Sequence, residues 1–304
     1  MSRHSRLRRV GFALETGGTK LVLALSARMS TLRLIALAGR IGAFIGRHVP
    51  MARKRIEANL KLVRPDLGAK ARAELAAEVG AGLLMTGAEY LRMKDLAARP
   101  DIVTVTGAAH VTEALAAKRP IIFVTAHFGQ WEFIRICARR LGAETAIIYR
   151  AFNNPGIDAI AQGYIAVAGA PVLHKGAAGS RRLLRQIAKG GAALILVDQR
   201  QTGSPLIPFM GHEAETATAA AELAKRFNAA LIPARARRVV GGELYDLRFE
   251  APIPHGDATV MMAEVNARIA AWVEDDPGQW FWLHRRWKLR PRGVQQRAAA
   301  QKRP

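Results

Sequence analysis

The apolar positions of this chain change rhythm near residue 100. Before that point they recur every three or four residues, and after it short apolar, β-branched runs alternate with helical stretches. The pattern predicts strands at 101–106, 120–126, 144–149, 172–173 and 192–197, separated by helices at 108–117, 130–141, 155–168 and 178–189. Such alternation builds an α/β fold, a largely parallel central sheet wrapped by helices. Beyond Asp198 come a loop with Gly203 and Pro205, an apolar run at 207–210 and an Ala-rich helix at 216–227. Strands at 230–240 and 244–251 then meet at Gly241-Gly242, a hairpin signal, and a helix follows at 258–274.

Upstream, residues 51–97 read as two helices, the second turning Leu75, Val79, Leu83, Leu84 and Tyr90 toward a core. Arg99-Pro100 closes that region. Farther up, Arg33, Arg40 and Arg47 are spaced by seven and share one helical face, while Leu34, Leu37, Ile41, Phe44 and Ile45 fill much of the rest; Pro50 ends the helix. This fits a helix lying in a membrane interface with its arginines toward the headgroups. A solvated face on an ordinary helical hairpin is the other reading. Lys20, Arg28, Arg33, Arg40 and Arg47 interrupt every window of about 18 residues, so a spanning helix is not expected. Arg28 and Arg33 also stand where a cleavable signal peptide needs small residues. The expected division is amphipathic, membrane-associated helices over 1–60, a domain carrying the chemistry over 61–290, and a basic mobile tail over 291–304.

Charge narrows the partners. Lys and Arg number 46 against 24 Asp and Glu, a net charge of +22, which attracts polyanions: an anionic membrane surface, a phosphorylated lipid, an acidic carrier protein or a nucleic acid. Aromatic residues make up only 6%, without the aromatic and basic interleaving of single-strand readers and without zinc-finger or RNP-type spacing, so no nucleic acid is expected. Cys137 is the only cysteine, which excludes intramolecular disulfides and Cys-rich metal sites; it reads as a small buried hydrophobe.

The chemistry concentrates where the 120–126 strand runs into Ala126-His127-Phe128-Gly129-Gln130-Trp131-Glu132. On one regular helix, residues five apart point away from each other. With His127 in the turn, Gly129 letting the chain bend and Glu132 on the first helical turn, the carboxylate can reach back to the imidazole. Such a contact fixes the tautomer and leaves the other ring nitrogen free to take a proton from a hydroxyl. The alternative is a strand-end histidine that caps the sheet.

The segment Thr125-Ala126-His127-Phe128-Gly129-Gln130-Trp131-Glu132 closely resembles the catalytic motif of the late acyltransferases of lipid A biosynthesis, a branch of the lysophospholipid acyltransferase superfamily. Tyr149-Arg150 with Asn153-Asn154-Pro155, then Val197-Asp198-Gln199, then Gln279-Trp280-Phe281-Trp282-Leu283-His284-Arg285-Arg286-Trp287-Lys288 resemble the same family in the same order. Pro208-Phe209-Met210-Gly211 with Thr216 and Thr218 resembles it too. The resemblance implies a glycerol-3-phosphate acyltransferase-like fold and transfer of a fatty acyl chain from a thioester to a hydroxyl of a phosphorylated glucosamine lipid. It implies His127 as general base, Glu132 as its orienter, and Tyr149, Arg150, Asn154, Asp198 and Gln199 as substrate-binding residues. No metal and no cofactor are implied, acyl carrier protein or acyl-CoA bringing the acyl group as substrate, and the expected place is the cytoplasmic face of the inner membrane. A related glycolipid or lysophospholipid acyltransferase using acyl-CoA is the nearest alternative. A basic nucleic-acid-binding protein with a structural His127 and Glu132 is the distant one.

Backbone N–H groups after Gly129 are the expected donors to the thioester oxygen, with Arg150 either sharing that role or holding a phosphate. Asp198 and Gln199 fall at the end of a strand on the same sheet edge as His127; a capping carboxylate on a surface loop is the other reading for Asp198. Relatives often carry an acidic or neutral residue where this chain has Arg200, which puts a further carboxylate role there in doubt. Asn153 and Asn154 can equally shape the turn into the next helix. The Trp280–Trp287 patch reads as a plug with Phe281 and Leu283 inward and Arg285 and Arg286 solvated, or as a substrate contact. His212-Glu213-Ala214-Glu215 begins like a zinc-protease helix, but Thr216 stands where the second His belongs. Gly17-Gly18-Thr19-Lys20 lacks the leading Gly of a phosphate loop, and no Gly-x-Ser-x-Gly elbow is present.

Overall fold

A computed structural model describes residues 3–239 and 244–287, with side chains from residue 8 onward. Four helices come first: α1 (Arg3–Ala27), α2 (Thr31–His48), α3 (Pro50–Val63) and α4 (Ala69–Leu91), followed by the short α5 (Met93–Ala97). Pro50 stops α2 because it cannot continue the ladder, and it serves as the first residue of α3, where its missing N–H costs nothing. α2 and α4 lie against each other over most of their length. Gly42 and Gly46 face Gly80 and Ala76 so closely that a Cβ on any of the three glycines would strike the opposing backbone.

The α/β part runs β1 (Val103–Thr106), α6 (Ala108–Ala116), β2 (Ile121–Thr125), α7 (Glu132–Arg140), β3 (Thr145–Tyr149), α8 (Pro155–Ala168), β4 (Val172–His174), α9 (Ala177–Ala188) and β5 (Ala192–Leu196). It continues with β6 (Leu206–Phe209), β7 (His212–Glu215), α10 (Ala219–Arg226), β8 (Ala230–Arg238), β9 (Tyr245–Phe249) and α11 (Ala258–Asp275). The main sheet has the order β1-β9-β8-β2-β5-β3-β4, and every neighbouring pair is parallel except β8 with β9. The largely parallel sheet expected from the spacing is therefore present.

β2 lies inside that sheet, so all five of its residues are buried. Its side chains alternate between two cores: Ile122 and Val124 pack with α3, α4, α10 and α11, while Ile121 and Phe123 pack with α6 and α7. This alternation anchors the turn that follows β2 on a rigid floor.

One unassigned segment is a strand, and two expectations change. His212–Glu215 is a strand, paired antiparallel with β6 across Met210 and Gly211, both at positive φ. The helix expected from Thr216 starts at Ala219, and Val103 opens β1 after a 3-10 turn at Pro100–Ile102. The Gly241-Gly242 turn and the 291–304 tail lie outside the described residues, although β8 and β9 pair up to Arg238 and Tyr245 as the hairpin requires. Among the described residues, no helix is long and apolar enough to cross a membrane.

Candidate active site

β2 ends at Thr125, with β5 beside it in parallel and Leu196 opposite Thr125. Two residues on along each strand, His127 comes level with Asp198. The carboxylate takes two contacts from this one residue. Imidazole Nδ1 lies 2.8 Å from Oδ1, and the His127 backbone N–H donates to Oδ2 at 3.0 Å. The Trp280 indole donates to Oδ2 as well, at 2.9 Å. Burial alone would raise the Asp198 carboxyl, but the imidazole charge and these hydrogen bonds outweigh it and hold the group below the usual carboxylate range.

A carboxylate on Nδ1 keeps the proton there and leaves Nε2 as a base. Nε2 has no partner among the described residues, and the ring, 25% exposed, borders a cleft of about 80 Å³. Val79, Leu83 and Thr86 of α4 form one side of it, and Trp131, Trp280 and Phe281 form the other. Trp131 meets the imidazole edge-on with ring centres 5.3 Å apart.

The turn is held from behind. Gly129 sits at φ +57° with its Cα against the Ala236 carbonyl, where a Cβ would collide. Its N–H donates to Gln279 O, and the Gln130 N–H to Ala236 O, both at 3.0 Å. Buried Arg238 donates to the Gly129 carbonyl at 3.3 Å, to Thr86 Oγ1 at 2.6 Å and to Glu89, which also receives Gln130 Nε2 and the Tyr245 hydroxyl. Nothing in the chain's spacing pairs Glu89 with Arg238. The available signal was an acid on the apolar face of α4, which needs a buried cation as partner.

The expected contact between Glu132 and His127 is not formed. Glu132 Oε1 accepts from the Tyr90 hydroxyl at 2.8 Å and Oε2 from Arg135 Nη1 at 2.7 Å, all inside the protein. Glu132 opens α7, so Arg135 is one turn away on the same face, and Arg135 also donates to the carbonyls of Thr145, Ile165 and Gly169. A buried carboxylate in reach of a buried guanidinium pairs with it, and Asp198 already occupies the imidazole. Of the backbone amides after Gly129 expected as oxyanion donors, that of Gln130 is committed to Ala236 O, whereas the Trp131 amide has no acceptor among the described residues.

Residues 5–289 match the model of the bacterial lipid A biosynthesis acyltransferase family. The chain belongs to that family. It is 29% identical over 274 residues to the lipid A biosynthesis lauroyltransferase of Escherichia coli K12, covering 85% of this chain and 87% of that protein. The crystal structure of the 1-acyl-sn-glycerophosphate acyltransferase from Thermotoga maritima overlaps 81% of this chain and 96% of its own at 12% identity. The TM-score is 0.38.

Among the described residues, no hydrogen bond or ring contact joins the other expected site residues of this acyltransferase to His127. The Tyr149 hydroxyl bonds Asp158 and His174, and burial together with the Asp158 charge pushes it up to about 12. Arg150 borders a second cavity. Asn154 caps α8 and ties it to α1, the structural alternative for that residue. Gln199 is exposed, and Arg200 pairs with Glu215.

In the Trp280–Trp287 segment the expected orientation is partly reversed. Trp280, Trp282, Arg286 and Trp287 are buried while Phe281 and Leu283 are half-buried, and only Arg285 is solvated. Arg286 donates to Glu215 O and Thr216 Oγ1 above the Phe209 ring, and burial pushes its guanidinium down to about 10. Lys288 lies outside the described residues. Cys137 is buried, and burial pushes its thiol up to about 11, as fits a packing role.

Proposed function

We propose that this acyltransferase moves a fatty acyl chain from an acyl thioester, carried by acyl carrier protein, to a hydroxyl of a lipid A precursor at the cytoplasmic face of the inner membrane. The observation that carries this reading is the imidazole clamped by Asp198 through Nδ1, with Nε2 unpartnered among the described residues and the ring bordering an apolar cleft. Nε2 takes the hydroxyl proton as the acceptor oxygen attacks the thioester carbonyl. The C–S bond then breaks, and the proton passes from Nε2 to the departing sulfur. We assign the Trp131 amide, at the start of α7 and without an acceptor among the described residues, to the developing oxyanion. Asp198 replaces Glu132 as the carboxylate that fixes the tautomer.

The relative named a lauroyltransferase suggests a twelve-carbon chain as the first donor to try. The net charge of +22 favours both a phosphorylated acceptor and an acidic carrier. Membrane attachment is supported by exposed apolar rows on the first two helices. Val10, Leu14, Leu21 and Leu25 lie along α1, and Leu37, Ile41 and Phe44 lie along α2 beside the exposed Arg33, Arg40 and Arg47.

The test is acyl transfer to a tetra-acylated precursor by His127→Ala. A loss of about a hundredfold or more is expected for removal of a general base. Activity within a few-fold of wild type removes His127 from the role.

A further inference from the structure

Between α1, the end of α4, the C-terminal end of β3 and α8 lies a second cavity, of about 370 Å³. Leu23 of α1, Leu91 of α4, and Ile157, Ile160 and Ile165 of α8 make it apolar. A dry apolar cavity of about 150 Å³ admits a benzene, so this one has room for a chain of roughly a dozen carbons. Arg150 sits exposed on its border with no ion pair among the described residues, a free cation for an anionic head. The cavity is also close to the reacting imidazole. Tyr90 lines it, packs against Trp131 with ring centres 6.2 Å apart, and Trp131 packs against His127.

One wall of this cavity, α1, is weakly held. Its outer residues Val10, Leu14, Leu21, Val22 and Leu25 are exposed, and its polar attachments are Asn154 toward α8 and, at its C-terminal end, Arg92, which donates to the Ser26 carbonyl. The Asn154 side-chain amide donates to Phe12 O at 2.8 Å and Glu15 Oε2 at 3.0 Å, and Thr16 Oγ1 donates to Asn154 Oδ1 at 3.1 Å. Gly156 keeps the contact close, since any side chain there would run into Thr16.

We infer that this cavity binds one hydrocarbon chain of an anionic lipid and that α1, latched to α8 at Asn154, is the wall that opens to admit it. The inference rests on the acyltransferase reading for the source of the chain, thioester donor or glycolipid acceptor, and not for its binding.

The experiment titrates dodecanoate, and octanoate beside it, into the purified full chain. Wild type and His127→Ala should bind dodecanoate alike, so that a failed transfer assay and a failed binding assay are distinguishable. Ala161→Trp, which fills the cavity from α8, should weaken dodecanoate by at least about tenfold and octanoate less. A Cβ at Gly156 would lie 3.1 Å from Thr16 Cβ, so the pair Thr16→Cys and Gly156→Cys is near disulfide range and can pin α1 shut. Oxidation of that pair should slow dodecanoate association at least about tenfold, and dithiothreitol should restore it within the same sample, separating a closed wall from a misfolded chain. In transfer assays with Ala161→Trp, a changed chain-length preference on the donor assigns the cavity to the donor, and one on the acceptor assigns it to the acceptor. Dodecanoate binding unaltered by both Ala161→Trp and the closed disulfide, or absent from wild type, overturns the inference.

Discussion

Asp198 holds His127 at two points, the imidazole Nδ1 at 2.8 Å and the backbone amide at 3.0 Å. The second contact fixes where the residue sits and the first fixes how its ring is turned and which nitrogen carries the proton. Asp198→Asn removes the charge while keeping the shape. It is expected to lower kcat by about a hundredfold or more with little change in KM, because the loss falls on the base and not on substrate contacts. Steady-state acyl transfer checks it, and a mainly KM effect contradicts the assignment.

The same contact sets a pH dependence of stability. The Asp198 carboxyl is held below its ordinary value in the folded state, so its contribution is complete above the unfolded value, about 3.9, and is lost as pH falls through the depressed folded value. Melting temperatures of wild type and Asp198→Asn should therefore differ by a constant amount near neutrality and converge below about pH 4. A difference that grows as the solution is acidified has the wrong sign for this account.

Glu132 gives the opposite expectation. Its carboxylate is buried between Tyr90 and Arg135, so Glu132→Gln leaves a guanidinium without its counter-charge and should cost about 3–5 kcal/mol in denaturant unfolding. The protein that remains folded should keep the acid limb of its pH–rate profile, because His127 still rests on Asp198. Loss of that limb with unchanged stability would return Glu132 to the imidazole.

How much of this was legible in the chain follows from range. β2 and its central place could be read from five consecutive apolar, β-branched or Thr residues, and Asp198 could be put on the right edge because a parallel β5 ends where β2 ends. Choosing between two acids for one imidazole could not be done by spacing. Glu132 is five residues away but opens a helix whose next turn carries Arg135, while Asp198 is 71 residues away and level with His127 only through strand register. The same limit hid Arg238 with Glu89, which are 149 residues apart, and turned Arg286 inward against a solvated expectation. His212–Glu215 received no assignment because its strand character comes from pairing with β6 and not from its own composition.

The Glu89 and Arg238 pair carries its own prediction. Arg238 is the buried donor to both the Gly129 carbonyl and Thr86, so Arg238→Met should destabilise by about 3–5 kcal/mol through the stranded Glu89. Adding Glu89→Gln should recover part of that loss, since the uncompensated charge is then gone. Chemical denaturation of the two single variants and the double variant measures the coupling. Additive losses would mean that the two residues act independently, against their 2.5 Å contact.

The outer face of α2 bears on attachment. Leu37, Ile41 and Phe44 are 43%, 47% and 63% exposed, while Leu34 and Ile35 of the same helix point inward to α4, so the outer row can be changed without disturbing the core. Moving one such side chain from water into hydrocarbon is worth about 1.5–3 kcal/mol when complete. Changing all three to Ser should then weaken binding to vesicles containing anionic lipid by at least about a hundredfold, even with burial only partial, with melting temperature unchanged. Raising the salt should further weaken the variant, because Arg33, Arg40 and Arg47 would be left holding the surface by charge alone. Vesicle co-sedimentation across a salt series decides it. A triple variant that sediments like wild type at every salt concentration would move the membrane contact off this helix and leave α1 to make it.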